Sequence, residues 1–515
     1  MPPAQEPTRD RSRATLRPGA PPDGTGIKKA LVDAGYTQDA LAATLGLSES
    51  LKDRQDVVVV SRRIRADSSY NVLARLFWLG HPVREQTLRE QVPGLDIEGL
   101  VSLNLLQRRD GDLSATAKLG PYNNLLLASD FGPDTGATLQ TDHVLGVGAA
   151  SLTLAVMTVR RKVRRVLDLG CGAGVQAFLA AEHAERVVGT DVNPRALAFA
   201  EFNTWLNGIS NVEWRKGSLY EPAGDEVFDL IVSNPPFVIS PEAKFLFRDS
   251  GLPTDSVSQR VIENAAGHLI EGGFACILFN WHHQKDEDWE VRPAEWVTDR
   301  GCDALLVCFK SADALTYAAD WVGPDGPGYA QRLNEWGDYY ERVGAVRISA
   351  GAMILRRRQD RPNWFAAYRL RLGQSVGLCG DQIERLFAAQ DLLAGTREER
   401  QLLACRLRLS DDHELRHEWK VSEGRWTLAR QTLSNRTGIL FSGDLDVFAA
   451  EMLTRCDGRN TLQEAIALTA GGMNLEVEKV QPACLAVVRR LLQTGFLCPC
   501  PAASWEGQDG AEQTR

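Results

Sequence analysis

Arg165-Val166-Leu167-Asp168-Leu169 runs directly into Gly170-Cys171-Gly172-Ala173-Gly174, and these ten residues decide the fold. A short apolar run that stops at turn-forming residues reads as a strand buried on both faces, as in a parallel sheet. The glycines behind it let the backbone bend sharply and approach a ligand closely. Outward from this stretch, further strand patterns fall at 186–191, 212–215, 228–233, 273–279, 304–309 and 346–355. Helical patterns follow the first, second and fourth strands.

Strand and helix in alternation predict an α/β fold with a doubly wound, Rossmann-like sheet over 126–356. The second strand, Val187-Val188-Gly189-Thr190-Asp191, ends in an acid 21 positions beyond Gly170. A carboxylate there accepts both ribose hydroxyls of an adenosine. NAD, FAD and S-adenosylmethionine sites all use a glycine turn, so the turn alone does not choose among them. Asp168, just before the glycines, can face a ligand's ammonium group, or can simply hydrogen-bond the turn. That acid favours S-adenosylmethionine, and so does a motif after the fourth strand that has no part in hydride transfer.

That motif is Asn234-Pro235-Pro236-Phe237, which follows Phe228-Asp229-Leu230-Ile231-Val232-Ser233. The side-chain carbonyl of Asn234 and the main-chain carbonyl of Pro235 can accept both hydrogens of an –NH2 group. Two prolines have restricted φ and no N–H, so they hold those carbonyls in place. Drawing on both hydrogens turns the nitrogen lone pair out of conjugation. Phe237 offers a flat face for stacking a base or an amide. The chemistry is positional and electrostatic and needs no nucleophile and no metal. The expected cofactor contacts are Asp168, Gly170, Gly172, Gly174, Asp191, Ser218, Leu219 and Asn234.

On these motifs the chain resembles class I S-adenosylmethionine-dependent methyltransferases of the small-domain group over residues 140–355. That group includes ribosomal RNA guanine-N2, N6-adenine and release-factor glutamine-N5 methyltransferases. Asp168, Gly170, Gly172, Asp191 and 234–237 match its pattern. The third strand departs from it: where such enzymes often carry an acid for the adenine amino group, this chain has Ser218. The whole chain is similar to three-part actinobacterial methyltransferases, a likeness that adds architecture and no substrate. The resemblance implies N-methylation of a nucleobase amine in RNA, with the amide of a protein glutamine as the alternative. A small-molecule or peptide-tailoring N-methyltransferase is a further alternative. Phe after Pro-Pro leans towards a nucleobase, and the net charge of −9 leans towards a protein.

The 515 residues, 44% hydrophobic and 24% charged, suit a soluble protein of about three domains. Ten scattered cysteines without a CxxC pair read as reduced thiols, not as disulfides or zinc ligands. No signal-peptide pattern and no run of eighteen apolar residues occur, so a cytoplasmic protein is expected. Residues 1–25, with Arg9, Arg11, Arg13 and Arg17, read as a disordered tail. A helical or winged module is expected over 26–125. One amphipathic stretch would cover Ala30 to Leu47, a helix Arg84 to Gln91, and a strand pair Leu100 to Leu113. A winged-helix-like α+β module is expected over 357–515.

Four features remain. His143, in the segment Asp142–Ser151, could touch the target or be structural. Arg248-Asp249 reads as a substrate-facing pair or a surface ion pair. His413-Glu414-Leu415-Arg416-His417 spells HExxH, but its alternation is that of a strand. There the histidines would stand about 13 Å apart, too far to share a metal. His282-His283 is expected at a sheet edge.

Overall fold

The strand Val163–Leu169 (β1) sits inside an eight-stranded sheet, with Ala184–Asp191 (β2) on one side and Phe228–Ser233 (β4) on the other. The structure is a computed structural model that describes residues 15–19, 24–46, 57–135, 137–249, 251–323, 328–370, 376–396 and 398–500. The remaining strands are Val212–Lys216 (β3), Leu269–His283 (β5), Cys302–Asp313 (β6), Arg347–Arg357 (β7) and Phe365–Arg369 (β8). Their order is β8-β6-β7-β5-β4-β1-β2-β3. The five strands β1 to β5 run parallel, and β7 lies antiparallel between β5 and β6. The fold is thus the α/β, doubly wound arrangement that the alternating pattern predicts.

The chain winds outward through β1, β2 and β3, then crosses back to place β4 on the far side of β1. A reversal of this kind opens a crevice at the carboxyl ends of the strands flanking it. Register brings those ends level, because Leu169 pairs with Thr190 on one side and with Ser233 on the other. The glycine turn, Asp191 and Asn234 therefore emerge along one edge.

The helices behind this edge are Val175–Ala181 (α1), Pro194–Asn207 (α2), Ser256–Ala265 (α3), Val291–Val297 (α4), Ala314–Val322 (α5) and Tyr329–Val343 (α6). Helix α2 starts where the Asn193 side chain accepts from the Arg195 N–H at 3.0 Å with Pro194 behind it, and it stops at Gly208, φ 64°. These are ordinary start and stop signals. One face of the sheet buries Leu167, Ile231, Ile277 and Leu306 with Val261 and Ile262 of α3 and Trp296 of α4. Truncating one such side chain to alanine would destabilise by about 2–5 kcal/mol.

The described residues cluster into two units, one within 1–155 and 161–369, the other within 156–160 and 370–515. In the first, helices and a three-stranded sheet (Val83–Arg84, Asp112–Ala115, Leu106–Arg109) precede a hairpin of Lys118–Tyr122 and Leu125–Ser129. Asn203 and Asn207, one turn apart on α2, bond the backbone of Ala128 and Leu126 through both side-chain N–H and C=O. This clasp fastens the hairpin to α2.

Several sequence expectations change here. Most of the expected tail lies outside the described residues, but at 15–19 Leu16 is buried in an apolar core and Thr15 O accepts from Asn104 Nδ2. A boundary at 125/126 would cut the hairpin. The stretch from Ala30 to Leu47 breaks at Gly35, φ 82°, into Thr25–Asp33 and Gln38–Leu45, with Leu47 outside the described residues. Leu100 belongs to a helix, Ile97–Ser102, and the strands begin at Leu106. The boundary expected at 357 moves to 370, because β8 pairs in parallel with β6.

The second unit combines helices, among them Gly380–Gly395, Leu462–Gly472 and Val477–Gln493, with two three-stranded sheets. One sheet orders Asp457–Thr461, Arg406–Leu409 and Leu497–Pro499. The other holds the ribbon His413–Ser422 and Arg425–Asn435. The HExxH spelling is thus a strand. His282 and His283 end β5, past its pairing with β4, which stops at Ile277, and pair with Ile348 and Arg347 of β7; His282 Nδ1 is 3.0 Å from Asp255 Oδ2 and His283 Nε2 is 2.7 Å from Ser349 Oγ.

Candidate active site

At the end of β1 the three glycines have positive φ, and they divide into two kinds. A Cβ added to Gly170 or Gly172 would meet nothing within 4 Å, so their bare backbone faces open space. A Cβ on Gly174 would come within 2.7 Å of Phe178 and 2.8 Å of Trp214. Gly170 and Gly172 line a cavity of about 370 Å³, and Gly174 does not. The third glycine, expected among the ligand contacts, is there for packing at the start of α1.

Three carboxylates border this cavity, Asp168, Asp191 and Asp249, and the first two lie beside the glycine turn. Asp191 accepts from the Gly172 N–H at 2.9 Å and from the Asn193 N–H at 2.8 Å, with the Val192 N–H also directed at it. Burial pushes its pKa up. Asp168 is fully enclosed and accepts from the Ala177 N–H at 2.9 Å, in the first turn of α1 and not in the glycine turn. Burial, with a smaller push from Asp191, raises its pKa to about 7. Each carboxylate oxygen can accept about two bonds, so both acids keep capacity for a ligand. Ser218 and Leu219, after β3, also line the cavity; Leu219 has φ 49°.

On the opposite wall, Ser233 ends β4 and donates its hydroxyl to Leu169 O at 2.9 Å, fastening β4 to β1. Asn234, Pro235 and Pro236 follow along the cavity. Asn234 Oδ1 is buried and has no hydrogen-bond partner. A buried acceptor left unpaired costs about 1–3 kcal/mol. Phe237 does not line the cavity; it packs against the cluster of Tyr317, Trp336 and Ile348. The stacking face expected of Phe237 is therefore turned into the α5–α6 layer.

An aromatic ring at the cavity does exist, ten positions on. Phe247 lines it, stacked on Phe245 at 5.5 Å and 5.7 Å from the His143 ring. Its loop is held by the Arg248–Asp249 pair, which is neither at the surface nor a free pair of charges. Asp249 accepts from the Lys244 and Phe245 N–H groups, both at 3.0 Å, and from Arg248 Nε at 2.8 Å; Arg248 also reaches Glu242 at 2.7 Å. Both residues are buried. His143 is buried at the cavity wall, 3.8 Å from Asp130.

Sequence reading missed Asn193, Gln176 and Phe247 as cavity residues, while Asp249, read as one of a substrate-facing or a surface pair, lines the cavity. Phe245-Leu246-Phe247, an apolar triplet in a polar loop, was the available signal for the third. Among the described residues no group of three or more His, Cys, Asp or Glu could hold a metal ion.

With the geometry in hand, comparison with known proteins becomes informative. Residues 145–289 match the family described as “Methyltransferase small domain”. The segment is a methyltransferase small domain. It falls in the class I, S-adenosylmethionine-dependent group. Residues 33–116 and 384–499 each match a family of unknown function.

The small domain accounts for the similarity to named proteins. The chain is 30% identical over 206 residues to the ribosomal protein uL3 glutamine methyltransferase of Bradyrhizobium diazoefficiens, covering 37% of this chain and 60% of that protein. It is 47% identical over 76 residues to the release factor glutamine methyltransferase of Geobacter sulfurreducens, covering 14% and 26%. With the ribosomal RNA small subunit methyltransferase C of Shewanella halifaxensis it shares 33% over 120 residues, covering 23% and 32%. The chain thus spans less than two thirds of the length of these relatives.

Proposed function

We propose that the protein is an N-methyltransferase that uses S-adenosylmethionine and acts on a planar –NH2 group. The observation that carries this reading is the buried, unpaired Oδ1 of Asn234, a residue just after β4 that lines the cavity bordered by Asp168 and Asp191. An acceptor kept dry and unpaired is preorganised for a donor that arrives with the substrate.

The fit to the cofactor rests on the chain's own chemistry. Gly170 and Gly172 present backbone with no side chain in the way. Asp191 has acceptor capacity for a pair of hydroxyls, and enclosed Asp168 for an ammonium group. Ser218 and Leu219 border the same space. S-adenosylmethionine bound there supplies an electrophilic methyl group. Asn234 Oδ1 and the Pro235 carbonyl accept the two hydrogens of the acceptor nitrogen, and the proline pair keeps those oxygens from turning away. The lone pair is then free of conjugation, and the positioned nitrogen needs no covalent help from the protein.

Two acceptors present such a group. The first reading is the exocyclic amine of a nucleobase in RNA. The second, favoured by the names of the first two relatives, is the side-chain amide of a protein glutamine. Work on either substrate places the protein in the cytoplasm, and among the described residues no helix is long and apolar enough to cross a membrane. Incubation with methyl-labelled S-adenosylmethionine and cell extract, followed by separate RNase and protease digestion, tests the reading. Label is expected in one of these polymers, and no transfer to any fraction would sink it.

A further inference from the structure

The strand His413–Ser422, which carries the HExxH spelling, is the outer edge of a three-stranded sheet completed by Arg425–Asn435 and Ser442–Asp444. Among the described residues no strand pairs with its free side, and every residue from Glu414 to Ser422 is exposed. Alternation gives the strand two unlike faces. Leu415, His417, Trp419 and Val421 share one, opposite Leu433, Gln431, Leu428 and Trp426 of the neighbouring strand. Glu414, Arg416, Glu418 and Lys420 share the other.

A long bare edge recruits other strands through its unpaired N–H and C=O groups, and the usual defences are proline, bulges and rows of lysine. This edge has none of them. It contains no proline and a single lysine, and its one bulge falls on the neighbouring strand, where Arg430 and Leu428 oppose Glu418 and Trp419. Leu415, Trp419, Val421 and Trp426, on one face of the ribbon, are 41, 55, 60 and 70% exposed. Large apolar side chains left open together mark an interaction surface.

The order of the charges selects the partner. Laid antiparallel against a second copy about a two-fold axis at His417, the strand sets Glu414 opposite Lys420 of the copy and Arg416 opposite Glu418 of the copy, each pairing made twice. On the other face Leu415 meets Trp419 of the copy. Opposite charges on facing strands attract and like ones repel. Moving the axis to Arg416 sets that arginine against itself and Glu414 against Glu418. Moving it to Glu418 sets that acid against itself and Arg416 against Lys420. An axis between residues would bring the apolar face against the charged one, and a parallel, in-register pairing matches every charge with its own sign. Within one chain Arg416 reaches Glu414 at 2.7 Å and Glu418 faces Arg430; such exposed ties are weak and exchange readily. We infer that His413–Ser422 pairs antiparallel with the same strand of a second copy about an axis at His417, joining two three-stranded sheets into one. The charge order is its own complement in this register, which names a second copy as the partner, and the pairing does not depend on the methyl-transfer reading.

Sedimentation velocity of the full-length protein at about 1–100 μM should show a monomer–dimer equilibrium. Glu414→Lys and Lys420→Glu each put like charges opposite one another twice, and each variant alone should dimerise about tenfold more weakly or worse. An equimolar mixture of the two should recover the affinity of the unaltered protein, because every pair then joins opposite charges again. A variant that had failed to fold would not be repaired by mixing, so recovery reports the register itself. A second measurement is a cross-link. Residues directly opposite in an antiparallel pair stand about 4.5–5.5 Å apart at Cα, within the span of a disulfide. His417→Cys should therefore give a covalent dimer on mild oxidation, which neither the unaltered protein nor Thr427→Cys, on the neighbouring strand, should give. A chain that stays monomeric over that range overturns the inference, whether or not the ribbon then takes up RNA or a strand of another protein. A dimer that neither charge reversal weakens, a mixture as weak as its components, or no cross-link through position 417 overturns it as well.

Discussion

The cavity of about 370 Å³ and a second, larger one of about 620 Å³ both border Asn234, and they are assembled in opposite ways. The smaller is built from the carboxyl ends of adjacent parallel strands, so its wall residues follow strand patterns in the sequence and are levelled by hydrogen-bond register. The larger is built from a helix, a hairpin and the segment 142–152, brought together by side-chain packing and the Asn203–Asn207 clasp. The first carries the carboxylates of Asp168, Asp191 and Asp249. The second is apolar and owes its shape to the module in front of the sheet.

Substitution at the shared residue gives the largest effect. Asn234→Ala should lower transfer by about 10²–10³-fold, the scale of losing one preorganised partner, while cofactor affinity measured by calorimetry changes little. Because Oδ1 is unpaired, the variant should unfold in urea no more easily than the parent. Transfer that survives the change would remove Asn234 from the reaction.

Next in size is Gly174→Ala. Its Cβ would strike Phe178 and Trp214 at a φ of 92°, and the strain should destabilise by about 1–3 kcal/mol. Urea denaturation reads this directly. A stable variant that has lost only the cofactor would return Gly174 to the ligand contacts.

A pH series sharpens the polar side of the comparison. Asp168 is held near pKa 7 in the folded protein, above an unfolded value of about 3.9. Between those values the folded state holds a proton that the unfolded state releases, so stability without ligand should fall as pH rises from about 4 to 7 and level off above. Asp168→Asn should flatten that slope in thermal melts. A ligand ammonium favours the ionised acid, so cofactor affinity should climb through the same window.

The smallest effect is expected at Phe237. Phe237→Leu keeps an apolar side chain in the α5–α6 layer and should destabilise by about 1 kcal/mol, with turnover altered by less than about threefold. Removing the ring of Phe247, which lines the first cavity, should matter more; the reverse order would show that the motif's aromatic residue reaches the acceptor after all.

Much of the fold was legible because its signals are local. Strands of five to seven apolar residues, a glycine turn behind the first and an acid closing the second are consecutive in the chain, and parallel register converts them into one edge. Asp168, Gly170, Gly172, Asp191 and Asn234 to Pro236, all named from the sequence, line one cavity. Phe237 was misjudged because an aromatic ring after two prolines can turn to either side, and here it packs with Tyr317, Trp336 and Ile348. Of the two readings of Arg248-Asp249 the surface ion pair fails, because only tertiary structure shows that the pair is buried and that Asp249 accepts backbone hydrogen bonds.

By itself, then, the sequence determined the alternation of strands and helices, the glycine turn and the Asn-Pro-Pro run after the fourth strand, since each follows from the period or the chemistry of neighbouring residues. Tertiary structure alone decided which glycine faces open space, which phenylalanine faces the cavity, and that a second cleft exists. Those depend on contacts between segments such as 41–45, 78, 122 and 234, whose separation along the chain carries no trace of their meeting in space.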